Sequence, residues 1–143
     1  MVVVVIIGIV TGIVMASINS AKAKGRDSKR IADISVIQLA LERYYDDPAN
    51  KKYPTSLSSL VSIDSSMSIT YISGNSYSYS GNSYLYKTLT GNNTAICSAD
   101  CQSYHLGATL ELANGILDDD TVDEDNNIGF TGTGLVYDVL PKF

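Results

Sequence analysis

The sequence predicts an α+β fold in which one long N-terminal α-helix packs on a small antiparallel β-sheet head. The first 47 residues contain no proline and keep apolar residues at helical spacing. Later in the chain, tyrosine-rich segments alternate with hairpin-turn signals. These predicted strands follow the helix as a group instead of alternating with helices, which favours an antiparallel sheet over a parallel one.

The predicted helix runs from Val2 to Tyr45 and has two different halves. The first half, up to Ala21, carries no charge and is apolar at most positions, as in a membrane span or a fully buried helix. The second half is amphipathic, with apolar residues at spacings of three and four: Ile31, Ile34, Ile37, Leu41 and Tyr44. Because such a stripe needs a folded domain to cover it, we divide the chain at residues 1–24 and 25–143. The first part is a transmembrane or filament-core half-helix, and the second is a head domain that includes the amphipathic half.

The apolar run favours a membrane span over a cleaved signal peptide. A signal peptide has basic residues before its apolar core, whereas here the basic cluster Lys22–Arg30 follows it. Gly8 and Gly12 form a Gly-x-x-x-Gly pair, a spacing that lets helices approach closely. We therefore take these two glycines as candidate assembly residues, the alternative being that they are ordinary glycines of a membrane helix.

Charge is distributed unevenly along the chain. Residues 1–52 carry eight Lys and Arg against five Asp and Glu, whereas residues 53–143 carry two against ten. An acidic head argues against nucleic-acid binding by the head. The basic cluster is better placed for phospholipid head groups beside a membrane span. Basic residues beside a membrane span usually lie on its cytoplasmic side, so the position of this cluster alone would put the head in the cytoplasm. A disulfide in the head would instead indicate that the head lies outside.

The head is predicted to hold a short helix and five strands. The long helix ends at Asp46-Asp47-Pro48, because proline cannot continue the hydrogen-bond ladder. A second helix is predicted over Tyr53–Leu60, with its proline in the first turn. The predicted strands are Ser68–Ile72, Ser76–Ser80, Ser83–Thr90, Tyr104–Leu112 and Val136–Leu140, with hairpin turns at Gly74–Asn75 and Gly81–Asn82. Alternating tyrosines in these strands are predicted to line one face of the sheet, where they would form part of the core. The alternative is that they form a ligand-binding surface.

The two cysteines are candidates for a disulfide. Cys97, Cys101 and His105 are four residues apart, a spacing that would suit a metal site on a helix. The intervening residues have the composition of a loop, however, and structural zinc takes four ligands. We therefore predict a Cys97–Cys101 disulfide. No residue pattern suggests an activated nucleophile, so we do not expect an enzyme.

A run of acidic residues late in the chain predicts a calcium site. Asp123, Asp125 and Asn127 have the spacing that begins a calcium loop, but Ile128 and Gly134 stand where an EF-hand needs Gly and Glu. The predicted ligands are Asp123, Asp125 and Asn127, completed by Asp118 or Asp120. The alternative is a solvated acidic loop that binds no metal.

The segment from Ile6 to Leu60 resembles the type IV pilin family, which includes the pseudopilins of type II secretion. The resemblance lies in Ile6-Ile7-Gly8-Ile9-Val10, in the basic stretch that begins at Lys22, and in Lys52-Tyr53-Pro54-Thr55-Ser56-Leu57 where the helix leaves the head. It implies a homo-oligomeric helical filament with the apolar half-helices in its centre. It also implies a membrane-bound state before assembly, a pilus or secretion machinery, a prepilin peptidase, and a head outside the cytoplasmic membrane.

The family's basic leader, initial aromatic residue and early Glu do not precede Met1, so we expect an upstream start codon or a processed form. DNA upstream of Met1 that encodes these residues would support a pilin, and a stop codon there would favour the second hypothesis, a membrane-tethered binding domain. The second hypothesis is a membrane-tethered extracellular domain that binds calcium or a surface ligand. The third is a small tethered enzyme.

Overall fold

The structure, a computed structural model, describes residues 2–91, 93, 95–112 and 135–141, and at 13–16 it describes the backbone alone. Within these residues a long helix, α1, is followed by a short 3-10 helix and a five-stranded sheet. The elements are α1 (Val2–Asp46), the 3-10 helix (Leu57–Ser62), β1 (Ile69–Ser73), β2 (Ser76–Tyr79), β3 (Asn82–Leu89), β4 (Ser103–Thr109) and β5 (Val136–Val139). The predicted α+β fold, with a leading helix and an antiparallel sheet, is therefore confirmed.

Helix α1 extends over 45 residues and ends one residue beyond the predicted position. The turn that follows explains why it ends there. The Asp47 side chain accepts the backbone N–H of Ala49 at 2.9 Å, and the Asp47 carbonyl accepts the N–H of Asn50 at 2.9 Å. Pro48 lies inside this turn. Because proline has no backbone N–H, it could not donate a hydrogen bond that continues the helix.

The strands form an antiparallel meander in the order β1-β2-β3-β4-β5. The turn at Gly74–Asn75 is as predicted, with Gly74 at φ +56°. The second turn was predicted one residue too late. Tyr79 pairs with Asn82, so its central residues are Ser80 and Gly81, at φ +52° and +81°. Two successive residues with positive φ match the twist of a tight hairpin, which explains the shift.

Two other element boundaries differ from the prediction because backbone N–H groups at these places donate hydrogen bonds to residues far along the chain. The second helix begins at Leu57 and not at Tyr53, since the Tyr53 N–H donates to the Cys101 carbonyl at 2.8 Å. Strand β4 ends at Thr109, before the predicted Leu112, whose N–H donates to a side chain of α1. In both places a contact far along the chain replaces the regular element.

The core lies between the second half of α1 and the tyrosine-bearing face of the sheet. The tyrosines predicted to share a face do so: Tyr77 pairs with Tyr84, and the exposed fractions of Tyr77, Tyr84 and Tyr86 are 5%, 0% and 2%. Burial on this scale makes them core residues and rules them out as an open ligand platform. They pack with the apolar stripe of the helix in one cluster that includes Ile34, Ile37, Leu41, Leu57, Leu60, Tyr104 and Leu106.

Candidate assembly surface

The first half of α1 is exposed on all sides. All of the described side chains from Val2 to Lys22 are exposed, and valines and isoleucines such as Val2 and Ile9 expose 73% and 61% of their surface. By length and composition, α1 is the one helix in the described part of the chain that could cross a membrane. A helix this apolar is not stable bare in water, so it must be covered by lipid or by protein.

Gly8 and Gly12 both lie on this exposed half. A Cβ atom added to either glycine would meet nothing within 4 Å. Their lack of a side chain therefore serves no packing inside this molecule. The proposed role of the two glycines in helix contacts stays a prediction, and it concerns a neighbouring molecule.

The boundary between the two halves of α1 is marked by a buried acid. Ala23 is the first described helix residue to be buried, and Asp27, one turn later, is 1% exposed. The Asp27 carboxylate accepts the backbone N–H of Glu111 at 2.9 and 3.1 Å and the N–H of Leu112 at 3.0 Å. It also pairs with Arg30 at 2.8 Å. Asp27 thus joins the helix to the chain that leaves β4.

Two arginines of α1 complete this contact from the outside. Arg26 donates to both carboxylate oxygens of Glu111, at 2.8 and 2.6 Å, and Arg30 donates to the same carboxylate at 3.0 Å. The hydrogen bond from Arg26, assisted by that from Arg30, lowers the pKa of Glu111 to about 2. Glu111 therefore carries its charge at neutral pH, and the three side chains form an ion cluster at the base of the head.

Lys22 and Lys24 lie just before this cluster and are exposed. Within the described residues, neither lysine belongs to an ion pair. Lys29, one turn further, donates to the carbonyl of Ser80 at 3.0 Å. Of the basic cluster predicted from the sequence, the first two charges are thus the ones available to lipid or to another molecule.

Tyrosine hydroxyls bind the acids of α1 across the core. Tyr84 donates to Asp33 at 2.7 Å, and Tyr53 donates to Glu42 at 2.9 Å. Burial and these carboxylates raise the pKa of both tyrosines above their ordinary range, so both hydroxyls stay protonated and act as donors. These two bonds add directional polar contacts between α1 and the head to the apolar packing of the core.

Cys97 and Cys101 form the predicted disulfide, with their Cα atoms 5.6 Å apart. The metal alternative is therefore excluded for these two sulfurs. His105 lies on β4, where its Nε2 is 2.8 Å from the carboxylate of Asp138 on β5. The two side chains are 1% and 0% exposed. Sequence reasoning missed this buried pair, because nothing in the local pattern connects residues 33 positions apart.

The predicted calcium ligands, Asp118, Asp120, Asp123, Asp125 and Asn127, lie outside the described residues. Among the residues that are described, no group of three or more His, Cys, Asp or Glu side chains could hold a metal ion.

Comparisons of the chain with protein-family models, with curated proteins and with solved structures give no match.

Proposed function

We propose that this chain is the structural subunit of a helical filament, of the type IV pilus or type II secretion pseudopilus kind, and that it assembles through its N-terminal helix. The observation that carries the proposal is the division of α1. One half is covered by the head, whereas the described side chains of the other half are exposed and apolar over about 30 Å of helix. A filament centre made of such half-helices would cover them.

The same apolar half would hold the subunit in a membrane before assembly. It is long enough to span a membrane once, and the cations that follow it suit anionic head groups. The disulfide supports a head that faces an oxidising compartment, outside the cytoplasmic membrane. Extraction from the membrane would then be the work of an assembly machinery, after processing by a prepilin peptidase, as the resemblance implies.

The test is the yield of filaments from the full chain, viewed by negative-stain electron microscopy. Gly8→Leu and Gly12→Leu introduce a large side chain where neighbouring helices approach, so each is expected to reduce the yield. Val4→Leu is the matched control, because it enlarges an exposed side chain of the same half-helix without removing a glycine. The heads should stay folded in all three variants, since a side chain at either glycine meets no atom of its own molecule.

Unchanged yield when Gly8→Leu and Gly12→Leu are combined in one chain would contradict the packing role of the glycines. Absence of filaments from the unsubstituted chain, with the head folded and the protein in the membrane, would contradict the filament function. That second result would favour a tethered extracellular binding domain.

A further inference from the structure

Six of the ten tyrosines form one continuous series of ring contacts through the head, which we call the tyrosine chain. From the end of α1 to the edge of the sheet, its rings are in order Tyr45, Tyr53, Tyr104, Tyr86, Tyr77 and Tyr71. Successive ring centroids are 4.9, 4.8, 6.2, 6.2 and 5.6 Å apart. All five distances are those of aromatic rings in contact, so the tyrosine chain has no gap.

The two ends of the tyrosine chain lie in different surroundings. At one end, Tyr45 donates to Gln102 at 2.9 Å, and the N–H of Tyr53 donates to the carbonyl of Cys101, a member of the disulfide, at 2.8 Å. At the other end, Tyr71 is 55% exposed. The other nine tyrosines, all of which the structure describes, are buried or partly buried. The tyrosine chain therefore runs from beside the disulfide to the one exposed tyrosine.

Glu42 of α1 binds the hydroxyls of two neighbouring members of the tyrosine chain. Its Oε2 accepts from Tyr53 at 2.9 Å, and its Oε1 accepts from Tyr104 at 3.3 Å. Burial, assisted by Glu42, raises the pKa of both phenols far above the ordinary range, so neither one ionises by itself. A phenol that loses an electron becomes a strong acid, and the carboxylate that accepts its hydrogen bond is then in place to take the proton.

We propose that the tyrosine chain is a path by which one-electron oxidation leaves the interior of the head and reaches the surface at Tyr71. The oxidants that it serves are oxygen-centred radicals. A phenol is oxidised more readily than the aliphatic side chains of the core, so the rings receive the oxidation that would otherwise damage their neighbours. This function goes beyond filament assembly and takes place within one molecule. Its failure would leave the filament proposal standing, and the absence of filaments would leave this path standing.

The path begins with the transfer of a hydrogen atom at Tyr45, which is partly buried. An oxygen-centred radical takes the hydrogen atom of the Tyr45 hydroxyl, so that the phenol O–H bond breaks and an O–H bond forms on the oxidant. Tyr53 then gives an electron to the Tyr45 radical and its own proton to Glu42. Tyr45 recovers a proton from water, and the radical now lies on Tyr53 in the core.

Glu42 allows the radical to move on without a change of charge. As Tyr104 gives an electron to Tyr53, the carboxyl returns a proton to Tyr53 from Oε2 and takes the proton of Tyr104 on Oε1. The next hydroxyl, that of Tyr86, donates to the carbonyl of Pro54 at 2.6 Å, which is too weak a base to keep a proton. The radical therefore does not stay on Tyr86.

The path ends where a proton can leave to water. An electron passes from Tyr71 through the rings of Tyr77 and Tyr86 to the Tyr104 radical, which recovers its proton from Glu42. Tyr71 releases its own proton to solvent, which the buried phenols cannot do directly. The balance of all steps is the reduction of the oxidant to its hydroxyl compound and the presence of the radical on Tyr71, where soluble reductants can reach it.

The experiment places a one-electron oxidant at the disulfide end of the tyrosine chain. Asp46→Cys in the full chain, held in detergent, supplies an exposed thiol beside Tyr45 for a ruthenium polypyridyl label, since both native cysteines are in a disulfide. A light flash with persulfate as quencher produces ruthenium(III), and a nitroso spin trap marks the tyrosyl radical. Tandem mass spectrometry should locate the adduct at Tyr71. The sequence has no Trp, so no indole competes.

The break variant combines Tyr77→Phe and Tyr86→Phe in the labelled chain, and the adduct at Tyr71 should be lost. The matched control combines Tyr79→Phe and Tyr84→Phe. It also removes two phenols of the sheet, from rings that contact each other at 6.3 Å outside the tyrosine chain, and it should keep the adduct. An adduct retained in the break variant, with the head folded by circular dichroism, would overturn the path. Loss of the adduct in both variants would overturn it as well.

A second variant tests the proton transfer and leaves every ring in place. Glu42→Gln keeps a hydrogen-bond acceptor that cannot take a proton, so the adduct should decrease at Tyr71 and increase at Tyr45. Asp33→Asn is the matched control, because it makes the same change at the hydrogen bond of Tyr84, outside the tyrosine chain. An unchanged distribution of adducts in Glu42→Gln would overturn the role of the carboxylate.

Discussion

The carboxylate of Asp27 accepts the backbone N–H of Glu111 at 2.9 Å, which joins the helix to the segment just after β4, 84 residues later in the chain. The bond is buried on the helix side, where Asp27 is 1% exposed. It lies at the point where α1 changes from a bare helix to one covered by the head.

Replacing Asp27 should loosen the base of the head. Asp27→Ala removes the acceptor of two backbone N–H groups and the partner of Arg30, and it is expected to cost about 3 kcal/mol of unfolding free energy. The measurement is amide hydrogen exchange of the full chain in detergent, with faster exchange at Glu111 and Leu112. Asp46→Ala is the control, since it removes an exposed acid of the same helix and should leave these amides protected. Equal protection in both variants would contradict the role of Asp27.

Stability should depend on pH through Glu111. Its pKa falls from an ordinary 4.5 to about 2 in the folded protein, so its ion pairs stabilise the fold fully above pH 4.5. The contribution disappears as the pH falls from 4.5 towards 2, because the unfolded chain takes up a proton first. Glu111→Gln should therefore melt at a lower temperature than the unsubstituted chain at pH 7, with the difference closing near pH 2. A difference that stays constant over this range would contradict the ion cluster.

Two leucines of α1 should respond differently to truncation, although they are two residues apart. Leu41 is fully buried in the core, and Leu39 is 64% exposed. In a shortened chain that begins at Gly25, which we expect to be a soluble monomer, Leu41→Ala should cost about 2–5 kcal/mol of unfolding free energy. Leu39→Ala should change it by less than about 0.5 kcal/mol. Chemical denaturation followed by circular dichroism compares them, and aggregation of the shortened chain would count against the proposed division of the helix.

The calcium site stays a prediction from the sequence. Six Asp and Glu residues lie between Asp118 and Asp125, and no Lys or Arg occurs from Thr88 to Pro141. A bound Ca²⁺ would relieve their repulsion and stabilise the folded head by about 2.7 kcal/mol at a hundred times the dissociation constant. The measurement is a thermal melt in millimolar CaCl₂ against EDTA at the same ionic strength. Equal melting temperatures would leave a solvated acidic loop.

Much of the fold could be predicted because it depends on local patterns. The two halves of α1 differ in their spacing of apolar residues, the tyrosines alternate with the period of a strand, and Pro48 limits the helix. Each of these signals lies within a few residues of the element it specifies. The candidate glycines, Gly8 and Gly12, could be found in the same way, from their spacing in an apolar run.

Only the tertiary structure decided which polar residues are buried and which apolar residues are not. From the local sequence, Asp27 would be expected on the exposed face of the helix, and it is buried only because the segment at Glu111 packs against it. In the same way, no local pattern connects His105 to Asp138. Conversely, Ile31 belongs to the apolar stripe that the spacing predicts, and yet it is only partly buried, because the extent of its cover depends on where the head packs against α1. Periodicity determines that a helix has an apolar face, whereas the burial of any one side chain depends on which distant segment packs against it.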